Sequence, residues 1–254
     1  MTAIATLRTD SAPAREVGAQ PALSALRSSP WFAGWPSPAL ASLSTASSLR
    51  SFGLGQPVAP EGKDLQSVVL VIKGRVRAVR RAEGGREVTL ETFRPGELAV
   101  EALFDTSSVL SNDWIAAETS LLLFIPRDEF MNQVRVLPEA SLALARDFER
   151  RLRRSKGLAS GLVLADVETR LYHALARLGR EEGEQSPEGT IIQRCPTQQE
   201  LGNGIGACRE TVSRIIAELS RKGLVSLRGR RLTLMSGFFE IASTSGVGDA
   251  TAAP

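Results

Sequence analysis

The feature that most constrains the fold is a change of hydrophobic period near residue 138. From about residue 55 to residue 126, short apolar runs alternate with turn residues, which is the pattern of β-strands. Beyond residue 138, apolar residues recur at steps of three and four, which is the pattern of helices. A chain of 254 residues has room for two domains of these different kinds.

Several strands are predicted in the first pattern. Gly74, the Gly84-Gly85 pair and the Pro95-Gly96 pair interrupt the apolar runs at turn positions. Short strands separated by turns about 8–12 residues apart predict a small β-sandwich or β-roll. The predicted strands are Val68–Ile72, Arg75–Arg80, Glu87–Glu91, Trp114–Ala117 and Ser120–Ile125.

The longest helix is predicted over residues 138–166. Pro138 opens it, at a position where a missing N–H costs nothing, and no proline follows before Asp166. Such a helix is about 40 Å long, longer than most globular helices. Its apolar stripe, flanked by charges, is typical of a seam with a second copy, and the alternative is a helix that lies on its own domain. The predicted seam residues are Leu142, Phe148, Leu152 and Leu162.

The segment after Asp166 predicts a second helix over Val167–Gly179, an acidic loop over residues 180–189 and a short strand over Thr190–Gln193. Two shorter helices follow. Thr197 and Glu200 have the spacing of a capping box at the start of the first of them. Gly204 and Gly206 are predicted to form the corner between the two helices.

The second of these helices has two chemically different faces. Its apolar face consists of Val212, Ile215, Ile216 and Leu219. Arg209, Glu210, Ser213 and Arg214 fall outside that face. An Arg side chain can donate to guanine O6 and N7, and a Glu can accept from cytosine N4. The pattern therefore predicts a helix-turn-helix in which Arg209, Glu210 and Arg214 read bases; the alternative is a helical hairpin with a charged face.

A basic ribbon follows the two helices. Residues 223–234 predict two strands joined by a tip that contains Arg228, Arg230 and Arg231. Such a tip suits contacts with DNA phosphates, and the alternative is a solvated turn. Residues 146–254 hold 17 basic and 13 acidic side chains, which agrees with a DNA-binding end of the chain. The predicted backbone contacts are Thr197, Gln198, Ser213, Arg228, Arg230 and Arg231.

These motifs together resemble the CRP/FNR family of bacterial transcription regulators over residues 28–240. The segment Arg209–Arg214 matches the family's recognition-helix pattern R-E-T-V-x-R, which is the most specific part of the likeness. Residues 138–166 align with the family's dimer helix without a gap, and Asp166 falls at its hinge aspartate. Lys73–Val76 and Pro95–Ala99 are similar to two turns of its β-roll.

The resemblance implies an α+β fold in which successive parts of the chain have different functions. It implies an N-terminal double-stranded β-helix (a cyclic-nucleotide-binding-like jelly roll), a long dimerisation helix and a C-terminal winged helix-turn-helix. We expect a disordered arm at 1–22, the roll at 23–137, the dimer helix at 138–166, the DNA-binding domain at 167–240 and a disordered tail at 241–254.

The function that follows is sequence-specific DNA binding by a homodimer at a pseudo-palindromic promoter site. Its partners would be double-stranded DNA, a second copy and, for an activator, RNA polymerase. The alternative is a ligand-sensing module that makes protein contacts instead of DNA contacts. We expect no enzyme, because the chain has no Ser/His/Asp set, no glycine-rich phosphate loop and a single histidine.

The effector pocket departs from the family pattern. The resemblance places Gly96, Glu97 and Leu98 at its start, and Ser111 and Asn112 where cyclic-AMP binders carry an Arg-Ser pair. Ser155 and Lys156 fall where the family has purine-contacting Thr and Ser. No Arg or Lys lies between Arg94 and Arg127, and a buried phosphate without a cation is heavily penalised. We therefore expect no cyclic-AMP control, with the pocket empty, apolar or adapted to another ligand. No cofactor is assigned, and a cyclic nucleotide is the alternative.

The sequence gives little support for sensing through an iron–sulfur cluster, a haem or a reactive thiol. No cysteine precedes Cys195, so an N-terminal iron–sulfur cluster is not expected. The single histidine, His173, lies beyond the predicted dimer helix and is not placed to bind haem; we expect a surface or core role for it. Cys208 at a helix start is interpreted as a small-residue replacement, with a redox switch as the alternative. Cys195 and Cys208 are too few for a four-ligand metal site.

The chain is expected to remain in the cytoplasm. Its longest uninterrupted apolar runs are Val68–Ile72 and Leu121–Ile125, far short of the roughly 20 residues that a membrane-spanning helix needs. Its first residues lack the apolar core of a secretory signal.

Overall fold

The computed structural model describes residues 15–17, 20–82, 87–101, 103–104 and 109–240. The described residues up to Arg80 and from Glu91 to Ala145 form one compact unit, and Arg81–Leu90 with those from Arg146 onward form another. Most of the predicted arm, residues 1–14, and the predicted tail, residues 241–254, lie outside the described residues. Within the described ranges, no helix has the length and apolarity needed to cross a bilayer.

Two sheets build the β-roll, as predicted. Their strands are β1 (Arg15–Val17), β2 (Ser48–Phe52), β3 (Pro57–Ala59), β4 (Ser67–Lys73), β5 (Val76–Arg81), β6 (Glu87–Phe93), β7 (Leu98–Ala99), β8 (Asp113–Ala116) and β9 (Ser120–Pro126). One sheet has the order β1-β2-β9-β4-β7 and the other has the order β3-β8-β5-β6. Each strand predicted from the sequence is present, with boundaries shifted by at most two residues.

The apolar run in β4 is explained by burial on both faces of its sheet. Val69 and Val71 pack in a core cluster with Trp114 of the second sheet. Val68 and Leu70 point the other way, because side chains alternate along a strand, and belong to a different core cluster. A strand buried on both sides needs apolar residues at every position rather than at every second one.

Helices cover the outer face of the larger sheet. They are α1 (Gln20–Ser28), α2 (Ser37–Ala46) and α3 (Arg127–Val136), with a short 3₁₀ helix at Pro30–Phe32. Leu26, Leu43 and Phe130 from these helices are completely buried beside the outward-facing residues of β4. The predicted arm at 1–22 is therefore wrong at its end, since β1 pairs with β2 and α1 begins at Gln20.

The helix α4 (Pro138–Leu164) follows the predicted bounds to within two residues. The second unit continues with α5 (Val167–Glu182), β10 (Glu184–Ser186), β11 (Gly189–Ile192), α6 (Gln198–Ile205), α7 (Arg209–Arg221), β12 (Val225–Arg228) and β13 (Arg231–Met235). Its sheet has the order β10-β11-β13-β12. The predicted acidic loop at 180–189 is wrong, because α5 runs three residues further than expected and β10 pairs with β11 as a hairpin.

Asp166 caps the helix α5. Its carboxylate accepts a hydrogen bond from the backbone N–H of Thr169 at 2.8 Å. That backbone hydrogen bond lowers the pKa of Asp166 below its ordinary value, since it stabilises the charged form.

The cap gives a pH-dependent contribution to stability. Asp166→Ala is expected to lower the free energy of unfolding by about 1 kcal/mol near neutral pH. Because the folded-state pKa is depressed, this contribution is complete above the unfolded pKa and disappears as the pH falls through the folded one. Urea unfolding of the wild type and of Asp166→Ala at a series of acidic pH values measures this difference in the free energy of unfolding. Asp166→Asn is the control, because it keeps a hydrogen-bond acceptor. A difference that does not change with pH would contradict the assignment.

Candidate nucleic-acid interface

The capping box predicted at Thr197 is present and positions the start of α6. The Thr197 backbone N–H donates to Glu200 Oε2 at 2.8 Å, and the Glu200 N–H donates to Thr197 Oγ1 at 3.2 Å. The Thr197 hydroxyl also donates to the same carboxylate, at 3.0 Å. Gln198, the other predicted backbone contact here, is the first residue of α6 and is half-buried.

One of the two glycines predicted for the corner between α6 and α7 lies there, and the other does not. Gly206 caps α6 with φ of 68°, the left-handed conformation that glycine favours. Gly204 lies inside α6 and has no positive φ, so its assignment to the corner is wrong. Gly202 was missed: a Cβ there would lie 2.6 Å from the carbonyl oxygen of Ala207, so only glycine allows the turn to approach α6.

The helix α7 separates a buried face from a charged one, as predicted. Val212, Ile215, Ile216 and Leu219 are buried in the core of the second unit. Arg209, Glu210 and Arg214 are exposed, and none of the three makes a hydrogen bond or an ion pair with a residue that the structure describes. Ser213, on the same side, is half-buried.

Cys208 is the residue that precedes α7. It is exposed, and its side chain makes no capping hydrogen bond to the helix backbone. Its Sγ lies 3.1 Å from Thr211 Oγ1. Cys195 is buried, so the two thiols have different surroundings.

The ribbon of β12 and β13 carries the predicted arginines at its tip. Arg228 and Arg231 are paired directly across the two strands, and both are exposed. Like charges placed opposite each other on a hairpin repel, so a polyanion that binds between them would relieve this repulsion.

Arg230 is held differently from its two neighbours. Its Nε–H donates to the carbonyl oxygen of Cys195 at 3.0 Å, and the Cys195 N–H donates back to the Arg230 carbonyl at 2.8 Å. These two bonds attach the tip of the ribbon to the loop before α6. The contact was not predicted from the sequence, because it joins residues that are 35 positions apart.

Arg170, on α5, is a second positioning residue that the sequence did not reveal. Its Nε–H donates to the carbonyl oxygen of Ile205 at 2.9 Å, and its Nη1 donates to that of Ala165 at 2.7 Å. One guanidinium thus satisfies carbonyls at the ends of α6 and α4, which would otherwise lack partners.

The four predicted seam residues on α4 are apolar and at least partly exposed in the single chain. Leu142, Leu152 and Leu162 are 51%, 55% and 51% exposed, and Phe148 is 36% exposed. Large apolar residues rarely form such a stripe on a surface that stays in water. Ser155 and Lys156, predicted as pocket residues, are also exposed on this helix.

The remaining predicted pocket residues lie in the roll. Gly96 has φ of 84°, and its carbonyl accepts a hydrogen bond from the Ser29 hydroxyl at 3.1 Å. The carboxylate of Glu97 accepts from the backbone N–H of Arg94 at 2.9 Å, and Leu98 is completely buried in β7.

Ser111 and Asn112 meet a carboxylate that the sequence did not single out. The Ser111 backbone N–H and its hydroxyl both donate to Glu101 Oε1, the first at 2.9 Å. The Asn112 Nδ2 donates to Glu101 Oε2 at 3.0 Å. No periodic signal marks Glu101, because it lies between regular elements.

His173 was not predicted as a ligand, and the structure shows its surroundings. The His173 Nε2 atom is buried and has no hydrogen-bond partner in the part of the chain that the structure describes. Among the same residues, no group of three or more His, Cys, Asp or Glu side chains is arranged to hold a metal ion.

Two families of known domains match this chain. Residues 49–135 match the cyclic nucleotide-binding domain, and residues 169–236 match the Crp-like helix-turn-helix domain. The first match covers most of the roll, and the second covers α6, α7 and the ribbon.

Curated relatives and a solved structure match this chain over most of its length. A CRP-like cAMP-activated global transcriptional regulator of Mycobacterium tuberculosis is 29% identical over 80% of this chain and 91% of its own length. A cyclic AMP receptor protein of Thermus thermophilus is 32% identical over 70% of this chain and 79% of its own. The structure of FixK2 from Bradyrhizobium japonicum, at 17% identity, has the same fold, with a TM-score of 0.70 over 80% of this chain and 98% of that one.

Proposed function

The chain belongs to the CRP/FNR family of bacterial transcription regulators, and we propose that it acts as a homodimer that reads a pseudo-palindromic promoter site. Its helix-turn-helix is a DNA-binding domain of the Crp type. The proposal concerns how the domain reads DNA, how many copies bind and what controls them.

The observation that carries the proposal is the charged face of α7. Arg209, Glu210 and Arg214 are exposed and unpaired among the described residues, while the opposite face of the helix is buried. Ionic side chains without internal partners are available to base edges at no cost in broken protein contacts. The sequence-specific part of the interface is therefore this face, with Arg as the reader of guanine and Glu as the reader of cytosine.

A second set of contacts would fix the protein on the phosphate backbone. Arg228 and Arg231 suit this role because they are exposed and repel each other across the ribbon. Thr197 and Gln198 lie at the start of α6, where a helix N-terminus favours anions, and Ser213 lies in the second turn of α7 on the same side as Arg209. Such contacts set orientation and affinity without reading sequence.

The dimer follows from the apolar stripe on α4. A second copy is the partner that buries Phe148, Leu152 and Leu162 with their own equivalents, in the manner of a two-stranded coiled coil. A two-fold axis would place two copies of α7 in successive major grooves, about 34 Å apart, which corresponds to half-sites about 10 bp apart.

Selection of random duplex DNA by the purified protein tests the function. We expect enrichment of a two-fold symmetric sequence with that spacing and with guanine in each half-site. RNA polymerase would be a further partner if the protein activates transcription. If the recovered DNA shows no sequence preference, the result favours the alternative, a sensing module that contacts proteins.

We propose that DNA binding does not require cyclic AMP. No Arg or Lys lies between Arg94 and Arg127 to neutralise the phosphate of a nucleotide in the roll. Calorimetry is expected to show no binding of cyclic AMP in the micromolar range, with the Thermus thermophilus cyclic AMP receptor protein as the positive control. A micromolar dissociation constant, accompanied by tighter DNA binding, would overturn this proposal and direct attention to Lys156 or Arg94 as the cation.

A further inference from the structure

We infer that the carboxylate of Glu101 is an internal replacement for an anionic effector, which occupies the donors of the roll and holds this part of the pocket closed without a ligand. The inference rests on the proposed function, since it concerns the pocket of the same regulator. It explains why a domain of the cyclic nucleotide-binding family would work in this chain without a nucleotide.

The first argument is the convergence of donors on one anion. The Ser111 N–H, the Ser111 hydroxyl and the Asn112 amide nitrogen all donate to the two oxygens of Glu101. The Asn112 amide also donates to Ser111 Oγ at 3.1 Å, so the three groups form one connected network. Hydrogen bonds to a charged acceptor are stronger than those between neutral groups, and several donors around one carboxylate are the arrangement of an anion site.

The second argument is the orientation of Asn112. Its side chain is only 6% exposed, and its Oδ1 atom is buried without a hydrogen-bond partner among the described residues. Rotating the amide would place that oxygen against the Glu101 carboxylate, where two acceptors repel each other. The side chain therefore leaves an acceptor unsatisfied, at a cost, in order to donate to Glu101.

The third argument is that backbone hydrogen bonds anchor the chain next to the donors. Leu110, which precedes Ser111, donates through its N–H to the Lys63 carbonyl at 3.0 Å and accepts from the Gly62 N–H at 2.9 Å. Ser111 thus follows an anchored residue, and its N–H holds the carboxylate of Glu101 at this fixed position.

The segment that carries this site has no positive charge of its own to attract a second anion. No Lys or Arg lies from Pro95 to Pro126. A phosphate would have to displace the carboxylate from its donors or lie beside it unpaired, and both are unfavourable. Glu101 is therefore a specificity-determining residue that disfavours cyclic nucleotides and other small phosphates.

Hydrogen exchange of the Ser111 amide, followed by NMR on the full-length protein, tests the inference. Glu101→Ala should make this amide exchange at least about tenfold faster, because it loses its charged acceptor. Millimolar phosphate should restore the protection in Glu101→Ala but leave the wild type unchanged, and chloride at equal ionic strength should do neither. Glu101→Gln, which keeps the size and one oxygen acceptor, should show a smaller loss.

Glu139→Ala is the matched control, since it removes an exposed carboxylate from α4 and should leave Ser111 unaffected. Unchanged protection in Glu101→Ala, or a loss that phosphate does not reverse, would overturn the inference. Binding of cyclic AMP by the wild type with displacement of Glu101 would overturn it too. The DNA affinity of the wild type tests the proposed function independently, because that measurement does not use the Glu101 variants.

Discussion

Phe148→Glu is expected to convert the proposed dimer into monomers and to weaken binding to the full site by about 10²–10⁴-fold, because a monomer loses the avidity of two linked half-sites. Phe148 lies on the same side of α4 as Leu152 and Leu162, which are 55% and 51% exposed. In a two-fold dimer the substitution places two carboxylates in an apolar seam, where unpaired buried charges each cost several kcal/mol. Sedimentation velocity measures the mass, and DNA titration measures the affinity.

Leu164→Glu is the matched control for this prediction. Leu164 is 72% exposed on the same helix, but it lies on the opposite side from Phe148, because 16 residues at about 3.6 per turn place it roughly half a turn away. The same change of an apolar residue to Glu should therefore leave the dimer intact. If Phe148→Glu remains a folded dimer of unchanged mass, the seam does not lie along this stripe.

The parts of the fold that local pattern determines could be predicted from the sequence. The capping box at Thr197 depends on residues three positions apart, and the apolar face of α7 depends on helical periodicity. The run Val68–Ile72 was predicted as a strand, but only the structure explains why it does not alternate: its two faces pack in two different cores. In each case a short segment contains enough information to specify its own conformation.

The helices over the outer sheet could not be predicted in the same way. Leu26 and Leu43 are completely buried, yet the segments around them are short and carry no long periodic pattern. Their helical state depends on packing against β4 and β9, which are distant in sequence. Tertiary packing of this kind provides most of the stability of short helices.

In the candidate site too, some residues could be predicted from local pattern and others depend on tertiary contacts. The exposed triplet Arg209, Glu210 and Arg214 follows from one helix face, so the sequence predicts it. Arg230 and Glu101 act through partners, at Cys195 and Ser111, that are reached only when loops close. Among the glycines of α6 and its corner, only the backbone of the turn distinguishes Gly206, with its positive φ, from Gly202, which is required for close approach.

Arg209→Ala is expected to cost about 1–3 kcal/mol in binding to the selected site and to relax the preference at one base pair in each half-site. Arg209 stands at the first turn of α7, is exposed and has no partner among the described residues, so its removal breaks no contact inside the protein. The loss therefore reports a contact with DNA rather than a change of fold. Competition binding with single-base-pair variants of the site measures it.

Arg231→Ala is the contrasting variant. It is exposed on the ribbon opposite Arg228, and a contact with phosphate carries no sequence information. Its removal should weaken all variants of the site alike and reduce the slope of log affinity against log salt by about one. Arg230→Ala is a less direct test of phosphate contact, because it also breaks the hydrogen bond to Cys195 that attaches the ribbon to the loop before α6.

The comparison of the two arginines separates direct reading of bases from a merely charged surface. If α7 reads bases directly, Arg209→Ala changes the order of affinity among the DNA variants, whereas Arg231→Ala preserves that order. The change caused by Arg209→Ala should depend little on salt concentration. A helical hairpin with a charged face predicts similar small losses for both proteins and no change of preference. Equal behaviour of the two variants across all single-base-pair substitutions would therefore rule out base reading by α7, even if the protein binds DNA as a dimer.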